Sequence, residues 1–343
     1  MQNLLIVGSL TLVSSFILTY YLRTWLQKGG LMDVPNARSS HSRPIPRGGG
    51  LAIIVSMILG LVIWRLLDPN LALPSRWFFV AWGAVALISF LDDRGHLPAG
   101  IRFGVHALAA VIVIWDQGGL AQFPIPEPLN ISMGWLGYPL AFIWMIAVLN
   151  FFNFMDGING YAGTQALLAG LFFAWIDPSG VGGVLGILVA LGALGFLYFN
   201  AGKASIFMGD VGSVSLGFLF AALPFYLSTG SSPDNVYLAV LILWFFLADA
   251  AFTLFRRVAR GEKIWQAHRE HYFQQLVRSG WSHSRVVLLV MGAAALLFAS
   301  SYLFLRSYSG WGWLPLVLAL VSMFGYWRLV RWVKRKTNDT TGS

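Results

Sequence analysis

Asp210 stands between glycines in the stretch Phe207-Met208-Gly209-Asp210-Val211-Gly212-Ser213, just ahead of an apolar run. A carboxylate so placed suits Mg2+, which takes one or two protein carboxylates and completes its shell with water and phosphate oxygens. It equally suits a helix cap, with Ser213 close by. Asp92 and Asp93 form a second candidate, followed by Arg94, Arg102 and His106. Adjacent carboxylates at a membrane boundary repel each other and call for a cation or a role. Arg102 and His106 are four residues apart and share a helix face. In a third stretch Asn150, Asn153, Asp156 and Asn159 recur every third position, interleaved with Gly157, Gly160 and Gly163. A carboxylate among amides suits a hard cation or sugar hydroxyls. Helix packing would account for the glycines but not for Asp156.

Two basic segments complete the set. The first runs from Asp33 to Gly50 and includes Arg38, Ser40, His41, Arg43 and Arg47 before Gly48-Gly49-Gly50. Guanidinium groups, hydroxyls and bare backbone N–H groups can together cradle phosphate oxygens. The same residues also read as an ordinary basic loop with turn glycines. The second segment holds Arg256, Arg257, Arg260, Lys263, His268, Arg269, His271 and Tyr272. Two imidazoles three apart could bind zinc, but no third ligand is offered locally and the chain has no cysteine. Against so cationic a background, His268 and His271 read as phosphate or nucleotide contacts.

The elements that must position these residues are apolar. Of 343 residues 57% are hydrophobic and only 11% charged, against roughly 25% charged in a soluble domain. That composition excludes a soluble enzyme, a disordered scaffold and a nucleic-acid-binding protein. Apolar runs near 3–26, 49–67, 76–91, 102–115, 135–153, 163–176, 182–199, 212–228, 236–255, 286–305 and 312–333 predict an all-α polytopic membrane protein of about eleven spans. The N-terminal run, lacking signal-peptide features, reads as the first span. A single membrane-embedded catalytic domain is expected over 1–333, with a basic cytoplasmic tail at 334–343 lying against anionic headgroups. Of the 23 Lys and Arg residues, all but Arg65, Arg76 and Arg306 fall on one side of these spans. By the positive-inside rule that side is cytoplasmic. With eleven spans the N-terminus is periplasmic and the C-terminus cytoplasmic.

Carboxylates, amides, glycines and cations gathered at one membrane face describe a magnesium-dependent phosphoryl-transfer site. A transporter of an anionic solute, the alternative reading, would keep its ionisable groups near the bilayer midplane. Asp249 tests that idea, and it lies near the inner boundary, one to two turns before Arg256.

These stretches, taken in order, resemble the polyprenyl-phosphate N-acetylhexosamine-1-phosphate transferases, a glycosyltransferase family 4-like group of membrane enzymes. The likeness rests on Asp33–Gly50, Asp92-Asp93, Asn153–Gly163, Phe207–Ser213 and Trp265–Tyr272. Pro35-Asn36-Ala37-Arg38-Ser39-Ser40-His41 with Pro46-Arg47-Gly48-Gly49-Gly50 looks most like the branch that initiates O-antigen synthesis. The resemblance implies a reaction at the cytoplasmic face of the bacterial inner membrane. A UDP-linked N-acetylhexosamine, or a 6-deoxy relative, gives its sugar 1-phosphate to undecaprenyl phosphate and releases UMP. The implied cofactor is Mg2+, with Mn2+ as a substitute, and a homodimer is left open.

Carried over by position, Asp210 is the implied magnesium ligand, with Asp93 approaching the metal. Asp92 and Asp93 orient the lipid phosphate, and Asp156 lies on the nucleotide or metal side beside Asn153 and Asn200. His268, Arg269 and His271 hold donor phosphate, and Arg38, Ser40, His41, Arg47, Arg102 and Asn159 complete the substrate contacts. The chain departs from the family at Asn159, where many members carry a second aspartate. It also lacks prolines at Ala201-Gly202-Lys203, and its histidine motif is sparser.

Overall fold

A computed structural model describes residues 2–35, 43–95, 97–125, 130–228, 233–263, 268–307 and 313–341. The order of elements is α1 (Gln2–Lys28), β1 (Met32–Asp33), β2 (Ile45–Pro46), α2 (Gly50–Leu67), α3 (Arg76–Gly95), α4 (Ala99–Gln117), α5 (Gly137–Phe154), α6 (Tyr161–Ile176), α7 (Val181–Asn200), α8 (Asp210–Tyr226), α9 (Pro233–Ile242), α10 (Trp244–Ala259), α11 (Tyr272–Arg278), α12 (His283–Ser307) and α13 (Leu314–Thr341). The protein is an all-α membrane bundle. The two strands form one short antiparallel ladder, with Met32 opposite Pro46 and Asp33 opposite Ile45. Helix α13 continues through residues 334–341 without a break.

The expectation of eleven spans is corrected. Among the described residues seven helices are long and apolar enough to cross a membrane, or eight if α9 and α10, bent by 77° at a short break, make one span. Each surplus has a physical reason. Helices α6 and α8 have 16 and 17 residues, so at 1.5 Å per residue they reach about 24–26 Å, short of a hydrocarbon core of about 30 Å. Helix α3 has 20 residues but carries Arg76 at one end and Asp92, Asp93 and Arg94 at the other. Counting apolar runs treated all three as spans.

What the short helices do instead is fill the middle. Every residue of α8 from Val211 to Tyr226 is buried, as expected of a helix apolar on all sides. It packs between α3 and α5. Close approach needs small residues: a Cβ on Gly217 would lie 2.8 Å from the Leu149 carbonyl oxygen of α5. Helix α7 is buried almost as completely and packs against α6, α1 and α2. At the α6–α7 crossing a Cβ on Gly170 would come within 2.5 Å of the Gly186 carbonyl oxygen. The head of α8, Asp210, is thereby fixed on all sides by packed helices.

Candidate active site

Two glycine-rich segments, far apart in sequence, interlock to frame Asp210. The Phe207 N–H donates to the Pro46 carbonyl at 2.8 Å, and the Gly48 and Gly49 N–H groups donate to the Phe207 carbonyl at 3.2 and 2.8 Å. The Gly50 N–H then reaches the Met208 carbonyl at 2.8 Å. Side chains would prevent this. A Cβ on Gly50 would lie only 2.2 Å from Gly212 Cα, and one on Gly209 would lie 2.7 Å from Asp93 Oδ2 and 2.8 Å from the Gly48 nitrogen. Gly209 also has φ +74°, a left-handed conformation that favours glycine.

Asp92 and Asp93, neighbours at the end of α3, have separate work. Asp93 turns toward α8: its Oδ1 accepts the Asp210 N–H at 3.0 Å and its Oδ2 the Val211 N–H at 2.9 Å. It therefore caps the positive end of the α8 dipole, where a carboxylate is favoured. Asp92 turns the other way. Its Oδ1 accepts the Leu97 N–H at 2.6 Å, and its Oδ2 meets Arg102 Nη1 at 2.6 Å. Two arginines then bridge to Asp210. Arg47 pairs through Nε with Asp93 at 2.9 Å and through Nη2 with Asp210. Arg102 Nη1 lies 3.5 Å from Asp210 Oδ2.

Asp156 belongs to the same electrostatic group. Burial pushes its carboxyl up to about 7; Arg47 opposes that rise, and the carboxylates of Asp210 and Asp93 add to it. Four carboxylates, Asp92, Asp93, Asp156 and Asp210, thus face two guanidinium groups, Arg47 and Arg102. With all four carboxylates ionised the centre would carry an excess of two negative charges, which the raised value of Asp156 relieves by holding a proton. Among the described residues no group of three or more His, Asp or Glu stands ready as a metal cage. Magnesium does not require one, because it keeps water and takes phosphate oxygens around one or two carboxylates. The hard oxygens of Asp210 and Asp156 and the unbalanced charge fit a divalent cation.

The asparagines serve the loops. The Ser213 hydroxyl donates to Asn153 Oδ1 at 2.6 Å, tying the end of α5 to the first turn of α8. Asn200 accepts the Gly160 N–H at 2.9 Å and donates to the Ile206 carbonyl at 3.0 Å. Asn159 donates from its amide to the Gly202 carbonyl at 2.7 Å, and its N–H meets His283 Nδ1 at 3.2 Å. His283, at the start of α12, therefore pins this turn.

The histidine segment adjoins the centre across Gly157, where a Cβ would lie 3.0 Å from Phe273 Cζ and 3.2 Å from Gln274 Nε2. His268 and His271 face each other with ring centroids 4.9 Å apart. Burial, with the neighbouring His271 and Arg257, pulls His268 down to about 4. Arg257 holds Glu262 and Glu270 at 2.7 Å each, and Arg260 also pairs with Glu270. The Arg256–Lys263 cations are thus largely engaged in shaping their own loop. Arg269 lies in the same segment. Arg38, Ser40 and His41 fall outside the described residues.

Asp249, which the sequence raised only as a test of the transporter reading, is a neighbour of the site. It is buried on α10 and receives the Tyr272 and Phe273 N–H groups at 2.8 and 3.2 Å, so it fixes the start of α11. Its signal was present: it is the one acidic residue in the apolar run 236–255.

Residues 76–228 match the family model described as Glycosyl transferase family 4. That stretch contains Asp92, Asp93, Asp156 and Asp210. The chain is 27% identical to the probable undecaprenyl-phosphate N-acetylglucosaminyl 1-phosphate transferase of Bacillus subtilis (strain 168), over 94% of this chain and 90% of that protein. It is also 27% identical to the undecaprenyl-phosphate alpha-N-acetylglucosaminyl 1-phosphate transferase of Escherichia coli (strain K12), over 97% and 95%. To the protein of that name in Yersinia pestis it is 28% identical, over 90% and 88%. Over most of its length the chain is thus similar to undecaprenyl-phosphate N-acetylglucosaminyl 1-phosphate transferases, and over residues 76–228 to the glycosyl transferase family 4 model.

Proposed function

We propose that the protein transfers the sugar 1-phosphate of a UDP-N-acetylhexosamine to undecaprenyl phosphate, giving undecaprenyl-pyrophosphoryl sugar and UMP. The observation that carries this is the head of α8, where four carboxylates face two arginines and, with all four ionised, leave an excess of two negative charges. An oxygen of the lipid phosphate attacks the sugar-bearing phosphorus of the donor. One P–O bond forms, the bond between the two donor phosphates breaks, and UMP leaves with the electron pair. The acceptor phosphate has a second pKa of about 6 and needs little deprotonation, so positioning and charge neutralisation supply the catalysis.

Asp210 and Asp156 would hold Mg2+, or Mn2+ in its place. Bound there, the ion supplies charge neutralisation at the donor pyrophosphate. Asp93 supports rather than ligates, since both its oxygens accept N–H groups from the α8 terminus. Arg47 and Arg102 exchange their carboxylate partners for phosphate oxygens when substrate enters, Arg47 toward the donor and Arg102, with Asp92, toward the lipid. Guanidinium groups suit this because their fixed fork matches phosphate as well as carboxylate. His268, Arg269 and His271 border the donor side, and Arg38, Ser40 and His41 belong to the same phosphate-binding loop as Arg47. Asn159 and Asn200 act by holding the Gly157–Gly160 turn in place.

The lysine and arginine bias of the loops supports a cytoplasmic site in a bacterial inner membrane. The wording of Pro35–Gly50 supports the finer reading of an O-antigen-initiating enzyme, with an N-acetylhexosamine or its 6-deoxy relative as donor. The test is UMP release by the purified protein given undecaprenyl phosphate, Mg2+ and a panel of UDP-N-acetylhexosamines. One donor should yield UMP with a lipid-linked sugar pyrophosphate, and EDTA or Asp210→Asn should abolish both. Silence across a broad panel, with intact lipid and folded protein, would sink the transferase reading.

A further inference from the structure

One buried carboxylate takes no part in the aspartate centre. Asp249 is 0% exposed, in the apolar helix α10. Its Oδ1 accepts the Tyr272 N–H at 2.8 Å and the Thr253 hydroxyl at 3.2 Å, and its Oδ2 accepts the Phe273 N–H at 3.2 Å. A carboxylate that deep is costly unless it is paired as well as hydrogen-bonded. Facing it, 3.6 Å from Oδ1, is Nδ1 of His271, whose side chain is only 4% exposed. That nitrogen is buried and has no hydrogen-bond partner. The separation exceeds a hydrogen bond, so two polar groups confront each other in a dry interior just beyond bonding distance. Contacts of this kind are often long in a ligand-free site and tighten in the complex.

The surrounding charged groups are turned elsewhere. Arg256 donates to Thr253 Oγ1 and the Glu270 carbonyl, and covers the Tyr272 ring at 4.7 Å. Arg257 is held by Glu262 and Glu270, and His268 accepts the Glu270 N–H at 3.4 Å. From α6 and α13 the buried side chains of Tyr161 and Tyr326 lie within electrostatic reach of Asp249. Arg331 of α13 faces Tyr272.

We propose that Asp249 is the positioning residue of the histidine segment: it fixes the α11 N-terminus and accepts the Nδ1–H of His271, so that the ring, protonated on both nitrogens in the donor complex, presents Nε2–H to an anionic donor phosphate. The same contact transmits position to the aspartate centre, because Phe273, whose N–H Asp249 holds, borders Gly157. This rests on the transferase reading above, in which His271 contacts the donor.

Two measurements test it, one of them independent of turnover. In protein labelled with ring-15N histidine, the His271 signal is assigned by its loss in His271→Gln. It should show a protonated Nδ1, more firmly hydrogen-bonded on titration with UDP. A His271 with an unprotonated Nδ1, with and without UDP, would overturn the proposal, and this readout needs no variant of Asp249 to fold. In the UMP-release assay, Asp249→Asn should raise the donor KM about tenfold, the scale of a hydrogen bond to a charged group, with the lipid KM unchanged. In a His271→Gln background the same change should matter less than about twofold, since residues acting through one another are not additive. Equal losses in both backgrounds, or a loss confined to the lipid KM, would show a purely structural aspartate. If the wild type releases no UMP from any donor, the transferase reading fails, and the histidine spectrum still decides where the proton sits.

Discussion

Asp93 and Asp210 lie in hydrogen-bonding contact yet should respond to mutation in opposite ways. Asp210 contributes to an excess of negative charge, so Asp210→Asn removes repulsion and should leave thermal stability unchanged or slightly raised. UMP release should nevertheless fall by about 10²–10³, the scale of losing one preorganised electrostatic contact. Asp93→Asn keeps one acceptor but loses the charge at the head of α8 and the pairing with Arg47. It should lower Tm, by an amount equivalent to about 1 kcal/mol for a lost cap, together with activity. Equal Tm for the two variants would refute this division of labour. Arg47→Lys is a further check: a lysine keeps the charge but cannot reach Asp93 and Asp210 from two nitrogens at once, so activity should drop by more than about tenfold. At this scale the sequence was informative about residue type and silent about partners. Asp92-Asp93 and Gly209-Asp210 signalled carboxylate chemistry, but nothing local says that one aspartate of the pair faces α4 and the other α8. Asn159 and Asn200 have the right chemistry for a ligand and spend it on backbone groups. Spacing could not reveal that, because the Gly202 carbonyl and the Gly160 N–H lie 43 and 40 residues from the asparagines they meet.

Among the elements, the decisive join is between the strand-like segment that leads into α2 and the one that leads into α8. The parallel bridge of Arg47 with Phe207 places the two glycine runs against each other, and the helices α2 and α8 start side by side from it. Because a Cβ on Gly50 would lie 2.2 Å from Gly212 Cα, well inside contact distance, Gly50→Ala should force the two helix starts apart. Overpacking at such a point costs about 1–3 kcal/mol, and Asp210 would move with its helix. Expression, melting temperature and UMP release should all fall. Gly100→Ala in α4, where an added Cβ meets nothing within 4 Å, should leave all three near wild type. If both alanines behave alike, the interlock is not what places Asp210. Apolar periodicity foretold an all-α bundle but misjudged three of its members. A run of 16 or 17 apolar residues is the same sequence signal whether a helix faces lipid or is enclosed by other helices. Only packing distinguishes them, and α8 is enclosed.

For the molecule as a whole, the unbalanced centre makes stability depend on protons and cations together. Asp156 titrates near 7 in the folded chain and near 3.8 when unfolded, so the folded state holds the extra proton between those values. Stability contributed by this group is therefore present at low pH and lost as pH rises from about 4 to about 7. His268 runs the other way. Its folded value of about 4 lies below the ordinary 6.5, so its contribution grows with pH over that interval. The raw pH profile mixes the two, and the difference between wild type and Asp156→Asn isolates the aspartate. A divalent cation relieves the same repulsion as the proton, so the two compete. Melting in detergent at one fixed scan rate, at pH 5 and pH 8, with Mg2+ or EDTA, tests the linkage. Mg2+ should raise Tm at pH 8 and do little at pH 5; at a hundredfold excess over its Kd the gain is about 2.7 kcal/mol. In EDTA, Asp156→Asn should exceed the wild type in Tm at pH 8 by more than at pH 5, and its response to Mg2+ should be blunted. A Tm indifferent to Mg2+ at pH 8 would mean that the four carboxylates are balanced within the fold, with no dication needed to hold them together.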